Sequence, residues 1–160
     1  MIILDCDWLT ISYILPRKSY FARKQKNTFG RNFNKPGSSD EQVISANIDI
    51  VFLVFSLSYD FSLRTIERYL LLAHRSKAMP VILLNKADLC PDKEEKLNEV
   101  LKIANNTPVY VLSALKNEGI ASIMNYIRSG VTISLIGSSG VGKSTLINAI
   151  CEDSVQVVLS

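Results

Sequence analysis

The sequence is poor in the residues that build metal centres and disulfide frameworks. It has three widely spaced cysteines, Cys6, Cys90 and Cys151, and a single histidine, His74. An odd number of scattered cysteines favours free thiols in a reducing compartment. One histidine without paired cysteines argues against a zinc site, and we expect His74, in a predicted helix, to lie on the surface.

Long apolar runs are also missing. The longest, Ile50–Phe55, is far shorter than the roughly 20 residues that span a bilayer, and Met1–Asp5 lacks the basic start of a signal peptide. We therefore predict a cytoplasmic chain without a membrane partner. With 160 residues and 48% hydrophobic content, the length suits one domain with an appendage.

From residue 48 onward, the hydrophobic pattern alternates between strands and helices. It predicts strands at 50–56, 81–84, 109–112 and 131–136. It predicts helices at 61–76, 91–104, 118–128 and 143–151. Regular alternation of this kind indicates an α/β fold, a parallel sheet with right-handed crossovers and helices on both faces.

A phosphate-binding motif lies between the last predicted strand and helix. Gly137–Ser144 has the form G-x-x-x-x-G-K-[ST]. Such a turn aims backbone NH groups and a helix N-terminus at one point, which suits phosphate. Lys143 would reach the β- and γ-phosphates, and the Ser144 hydroxyl would ligate Mg²⁺.

A base-reading motif follows the predicted strand 81–84. It comprises Asn85, Lys86, Ala87 and Asp88. The carboxylate of Asp88 can accept from the adjacent ring NH and amine of guanine, a donor pair that adenine lacks. The stem of Lys86 can lie on the base face.

A third segment, Ser113–Ala114–Leu115, follows the predicted strand 109–112. The NH of Ala114 could donate to the guanine oxygen, while Ser113 holds the loop. Together the three segments predict a site for GDP or GTP with Mg²⁺. The base-reading motif precedes the phosphate-reading one, whereas ordinary GTPases have the reverse order.

The first forty residues differ in composition. Between Trp8 and Ser39 there are seven basic residues, no acidic residue and several aromatic rings. Cations neutralise phosphates and rings stack on bases, so the segment suits RNA, although solvated lysines around inward-folded rings would give the same pattern. We expect no DNA partner. The candidate RNA-binding residues are Arg17, Lys18, Arg23, Lys24, Lys26 and Arg31. A strand of a small barrel is expected near 11–15, with a linker at 34–39.

These motifs make the chain similar to the circularly permuted GTPases, most closely the ribosome small subunit-dependent GTPase A family. The resemblance implies a partial OB-fold-like segment over residues 1–40 and a permuted P-loop GTPase domain over residues 41–160. It implies a GTPase that assists late maturation of the small ribosomal subunit and binds its rRNA. The implied phosphate and Mg²⁺ residues are Gly137, Ser138, Ser139, Gly140, Val141, Gly142, Lys143, Ser144 and Thr145. The implied guanine residues are Asn85, Lys86, Ala87, Asp88, Ser113 and Ala114.

The sequence departs from that family after the phosphate loop. Fifteen residues follow Thr145, and they contain neither the switch threonine segment nor an Asp-x-x-Gly. The family's cysteine and histidine zinc module is also missing from these residues. We therefore expect a domain that is incomplete at its C-terminus. A non-hydrolysing module that binds guanine nucleotide and RNA, or a permuted GTPase acting on the large subunit, remain alternatives.

We expect a polypeptide of these 160 residues to bind nucleotide with little turnover. Contacts to the β-phosphate are common to GDP and GTP, so the two should bind within about tenfold of each other. Phosphate release measured with and without small ribosomal subunits tests this. Release that rises with subunits, and that Lys143→Ala abolishes, would contradict the expectation.

Overall fold

The computed structural model describes residues 2–5, 10–14, 16–24, 41–58 and 61–158. Its strands are β1 (Ile2–Asp5), β2 (Thr10–Ile14), β3 (Tyr20–Lys24), β4 (Glu41–Ala46), β5 (Ile50–Ser56), β6 (Met79–Asn85), β7 (Val109–Val111) and β8 (Ile133–Ile136). Its α-helices are α1 (Leu63–Arg75), α2 (Lys93–Ile103) and α3 (Lys143–Val158). Two short 3₁₀-helices cover Ala87–Leu89 and Ile120–Tyr126.

Four strands form a parallel sheet in the order β7-β6-β5-β8. All seven residues of β5 are buried, which explains why this strand is apolar without alternation. The predicted strands are confirmed, with ends that shift by one or two residues. Within the described part of the chain, β7 and β8 are the edges of this sheet.

Helices cover both faces of the sheet, as the pattern predicts. Alternate residues of β5 point to opposite sides, so Val51, Leu53 and Phe55 pack in one core with α1 and α2. Phe52 and Val54 pack in a second core, together with α3 and the 3₁₀-helix at 120–126. The α/β class is confirmed.

One predicted α-helix is wrong in type. The segment 118–128 contains a 3₁₀-helix at Ile120–Tyr126, entered through Gly119 at φ 77°. Because a 3₁₀-helix has about three residues per turn, Ile120, Ile123 and Tyr126 share one edge. Both isoleucines are fully buried, and the Tyr126 ring meets Phe52 edge to face. Apolar spacing alone could not separate a period of 3.0 from one of 3.6.

The N-terminal strands form two antiparallel pairs, β1 with β2 and β3 with β4. Pairing of Lys24 with Glu41 crosses the predicted boundary between residues 40 and 41. The division into 1–40 and 41–160 and the OB-fold-like character stay predictions. The predicted linker at 34–39 and Cys6 lie outside the described residues.

The remaining sequence-based expectations concern thiols, metals and membranes. Cys90 is buried and Cys151 exposed, both as free thiols, and His74 is exposed as expected. The described residues contain no cluster of three or more His, Cys, Asp or Glu suited to a metal ion. None of the helices in the described ranges is long and apolar enough to cross a membrane.

Candidate functional site

The three predicted segments meet at one edge of the sheet. Asn85 ends β6, Ser113 lies two residues beyond β7, and Gly137 directly follows β8. Because these strands are parallel, their carboxyl ends lie at the same edge, where ligands of open α/β sheets bind. Residues distant in sequence therefore come into contact.

Asn85 connects the other two segments through its side-chain amide. Its Nδ2 donates to the carbonyl of Val141 at 2.8 Å, and its Oδ1 accepts from the NH of Ala114 at 3.0 Å. Asn85 is only 2% exposed, so these bonds lie away from water, where losing either would leave a buried polar group unpaired. The sequence-based role of the Ala114 NH, donation to guanine, therefore requires this bond to be shared or exchanged.

Asp88 is held by the loop after β7. The hydroxyl of Ser113 donates to Asp88 Oδ1 at 2.6 Å, and the NH of Lys116 donates to the same hydroxyl at 3.3 Å. This hydroxyl bond, assisted by the charges of Lys116 and Lys86, holds the pKa of Asp88 below its ordinary value. The group is thus a carboxylate at neutral pH. Its two oxygens accept about four hydrogen bonds, so acceptor capacity remains for a ligand.

A single cavity of about 150 Å³ is lined by all three segments. Its lining residues are Asn85, Lys86, Asp88, Leu89, Ala114, Leu115, Gly142 and Thr145. Lys86 adopts a left-handed conformation at φ 64°, which is uncommon for a side chain of this length. The sequence reasoning assigned no ligand contact to Leu89, or to Leu115 at the end of the third segment; these side chains are 64% and 78% exposed. Each directly follows a motif residue, and that adjacency is the signal that could have found them.

The loop before α3 needs glycine at two positions. A Cβ at Gly137 would overlap the carbonyl oxygen of Val54, and one at Gly142 would overlap Asn85 Nδ2. Gly142 also has φ 96°, in the region that favours glycine. Close packing of the loop against β5 and β6 therefore explains these glycines, beside any contact with a ligand.

Lys143 folds back over this loop. Its ammonium donates to the carbonyls of Gly137 at 2.9 Å and Ser138 at 2.7 Å. An ammonium has three donors, so one remains for an anion. The first helical bond of α3 runs from the NH of Leu146 to Gly142 at 2.9 Å. The NH groups of the residues just before Leu146 thus have no intrahelical partner and face the helix N-terminal end.

Ser144 and Thr145 lie in the first turn of this helix, and both are exposed. Ser138, Ser139 and Gly140 form the exposed tip of the loop, with Val141 buried beneath it. The predicted phosphate residues thus occupy one loop and the first turn of α3, and Asn85 connects that loop to the predicted base residues.

The predicted RNA-binding residues are only partly covered by the structure. Arg17 and Lys18 are exposed, and the Arg17 guanidinium lies 5.8 Å from the centroid of the Tyr20 ring. Arg23 and Lys24 belong to β3, but their side chains lie outside what is described. Lys26 and Arg31 also lie outside the described residues.

The parallel sheet, the glycine loop before α3 and the base-motif residues ahead of it in sequence place the fold among circularly permuted P-loop GTPases. Two solved structures agree. YjeQ from Thermotoga maritima has a TM-score of 0.66 and 31% identity, covering 88% of this chain and 44% of that chain. YloQ, a circularly permuted GTPase, has a TM-score of 0.54 and 25% identity, covering 74% of this chain and 47% of that one.

The chain belongs to the RsgA GTPase family, which it matches over residues 14–159. Relatives described as small ribosomal subunit biogenesis GTPase RsgA include the protein of Opitutus terrae, 46% identical over 139 residues, or 86% of this chain and 35% of that protein. The protein of Syntrophotalea carbinolica is 44% identical, over 88% of this chain and 38% of the relative. The protein of Leptospira interrogans is 42% identical, over 96% of this chain and 44% of the relative. The chain therefore spans less than half the length of these curated relatives.

We expect Gly142→Ala to disrupt the site through Asn85. The added Cβ would overlap Asn85 Nδ2 in a conformation already strained for alanine. Gly130→Ala is the matched control, since Gly130 has φ 81° and open space around it, so it should cost only the conformational strain of about 1–2 kcal/mol. Urea unfolding should show a larger loss of stability for Gly142→Ala. Equal losses for the two variants would contradict the packing argument.

Proposed function

We propose that this chain binds GDP and GTP and takes part, as a cytoplasmic GTPase, in biogenesis of the small ribosomal subunit. The observation that carries the nucleotide assignment is the single cavity lined by both Asp88 and the loop residues Gly142 and Thr145. A carboxylate and a glycine loop in one cavity match the two ends of one ligand, a base with paired donors and a phosphate chain.

Base selection is assigned to Asp88. Its carboxylate, fixed by Ser113, would accept from the ring NH and the amine of guanine. Each charge-assisted bond contributes about 1.5–3 kcal/mol, and adenine would leave the carboxylate unpaired. Lys86, Leu89 and Leu115 would supply apolar contact to the rings.

Phosphate binding is assigned to the loop Gly137–Thr145. The free NH groups at the start of α3 and the third donor of Lys143 would bind phosphate oxygens. These groups would bind GDP and GTP within about tenfold of each other, because most of their contacts are to the phosphates that both nucleotides share. Their proposed role in hydrolysis is to hold and orient the nucleotide, since ground-state binding alone does not accelerate chemistry.

A magnesium ion would accompany the nucleotide. The exposed hydroxyl of Ser144, at the start of α3, is a hard oxygen donor of the kind that Mg²⁺ accepts together with phosphate oxygens. A single protein hydroxyl suits this ion, which keeps several waters and takes further ligands from substrate phosphates. When bound, the ion would neutralise charge on the phosphates.

Small-subunit and rRNA binding are proposed on the relatives' names and the basic N-terminal composition. Relatives in three bacteria are named for biogenesis of the small ribosomal subunit. Seven cations without an acid between Trp8 and Ser39 would give this chain a phosphate-binding segment. Arg17 and Lys18, which are exposed, belong to that segment.

We expect Asp88→Asn to change base preference. The amide would donate where the carboxylate accepts, so GDP should bind at least about 100-fold more weakly, which corresponds to a loss of about 3 kcal/mol. Xanthosine diphosphate (XDP), which has an acceptor in place of the guanine amine, should bind more tightly. Calorimetric titrations of GDP, XDP and ADP with Mg²⁺ measure this. Asp92→Asn is the control, because that carboxylate pairs with Lys96 at 3.4 Å and does not line the cavity.

Two results would overturn the guanine assignment. One is equal affinity of the unchanged chain for ADP and GDP. The other is a GDP affinity of Asp88→Asn that equals that of the Asp92→Asn control.

Charge reversal at Arg23 and Lys24 should flatten the salt dependence of RNA binding. If both cations neutralise phosphates, the slope of log affinity against log salt should fall by about 1.5, at about 0.7–0.9 per contact. Fluorescence anisotropy with a labelled single-stranded RNA across a salt series measures the slope. An unchanged slope would indicate that these two residues belong to an ordinary solvated surface and do not contact RNA phosphates.

A further inference from the structure

The outer face of α1 carries a row of cations that the nucleotide site does not use. Arg64, Arg68, Leu71 and Arg75 follow one another at spacings of four, three and four residues. This spacing places them on one face of a helix, over about 16 Å at 1.5 Å per residue. All four side chains are exposed. The opposite face, with Ile66, Leu70 and Ala73, packs into the core.

The positive charge is local. Residues 61–78 contain four cations and one acid, Glu67, whereas the rest of residues 40–160 contain seven cations and twelve acids. The face of α1 with Arg64, Arg68, Leu71 and Arg75, called the basic strip below, therefore lies in an otherwise acidic part of the chain. Such a local excess creates a field that attracts polyanions, which an evenly mixed surface does not.

The arginines of this strip form no ion pair with the described side chains. Among the described side chains, an ion pair forms only between Lys96 and Asp92, neither of which belongs to α1. The Arg68 guanidinium lies 5.6 Å from the centroid of the Tyr69 ring, which leaves its NH donors available. Glu67 forms no ion pair with its neighbours within the described part. The guanidinium forks are thus open to an outside acceptor.

A cleft beside the strip adds a second element. It has a volume of about 440 Å³ and lies between α1 and the end of α2, with Leu71, His74 and Lys102 in its lining. Leu71, 64% exposed, gives this lining an apolar surface, and the charged side chains in it are Lys102 and Glu67. A cleft that combines apolar surface with hydrogen-bonding side chains, next to a row of arginines, suits a ribose or base attached to a phosphate chain.

The strip also adjoins the N-terminal basic segment. Helix α1 packs beside β3, the strand that contains Arg23 and Lys24. The chain around Ser19 is fixed to the segment just before β5, since the Ser19 hydroxyl donates to the carbonyl of Ile48 at 2.7 Å. Basic residues of the N-terminal segment and of α1 thus belong to neighbouring elements.

We infer that the outer face of α1 is a second RNA-binding surface, which contacts the phosphate backbone through Arg64, Arg68 and Arg75. The inference rests on the proposed function and extends it, because it adds to the N-terminal segment a surface within the nucleotide-binding part of the chain. RNA is favoured over a membrane because the strip offers one exposed leucine, too little apolar area for insertion. Guanidinium groups match phosphate oxygens through paired donors.

The test compares two variants of equal charge. Arg64→Gln/Arg75→Gln removes two cations from the strip and keeps good helix formers. Lys93→Gln/Arg128→Gln removes two exposed cations elsewhere and serves as the control. Affinity for a labelled 30-nucleotide single-stranded RNA is measured by anisotropy from about 50 to 300 mM salt. GDP affinity is measured on the same samples.

We expect the strip variant to bind RNA tens of times more weakly near 0.1 M salt, with a slope lower by about 1.5. The control should stay within about threefold, as long-range charge alone is screened at this salt. Both variants should keep the GDP affinity of the unchanged chain, since none of the four residues lines the cavity. Arg64→Glu/Arg75→Glu should weaken RNA binding further.

Each contrary result has a distinct meaning. Equal RNA slopes for strip variant and control, with GDP binding intact, would overturn the inference and leave the proposed function standing. Failure of the unchanged chain to bind GDP would overturn the nucleotide assignment, whatever the RNA affinities are. A third result is that the strip variant binds phosphatidylserine vesicles more weakly than the control does, while its RNA affinity is unchanged. This result would assign the surface to lipid and also overturn the inference.

Discussion

The side-chain amide of Asn85 is the interaction on which the candidate site depends. It donates to the carbonyl of Val141 and accepts from the NH of Ala114, and so joins two loops that follow different strands. An amide suits this place because it has both a donor and an acceptor, and both are needed in a space that is almost closed to water. Aspartate would place an acceptor against the Val141 carbonyl, and leucine would leave two backbone groups unpaired.

Other features follow from that bridge. Gly142 lacks a side chain because Asn85 Nδ2 occupies the space where its Cβ would lie. Ser113, one residue before Ala114, then comes within reach of Asp88 and fixes the carboxylate. The geometry of the carboxylate and that of the glycine loop are therefore set together. This coupling explains why motifs separated along the chain lie at one cavity.

Much of this was predictable from sequence because the signals are local. Buried parallel strands show as apolar runs, and strand ends show as the polar residues that follow them, so Asn85, Ser113 and Gly137 could be placed at one edge. The bridge of Asn85 to two loops could not be predicted, since it depends on tertiary distances. Nor could the 3₁₀-helix at Ile120–Tyr126, because its apolar spacing fits two helix types. Leu115 lacked a signal of its own, as an apolar residue in a loop is ordinary.

The central claim is that Asn85 couples the loop before α3 to the loop after β7. Residue-resolved amide hydrogen exchange by NMR in Asn85→Ala tests it, with Val100→Ala, a buried change in α2, as a control for general destabilisation. The account predicts that in Asn85→Ala exchange rises together at Ala114, whose NH bonds Asn85, and at Leu146, whose NH bonds the carbonyl of Gly142 in the loop before α3. It also predicts that Val100→Ala does not single out this pair of amides. Increased exchange at only one of these amides, or at neither, would contradict it.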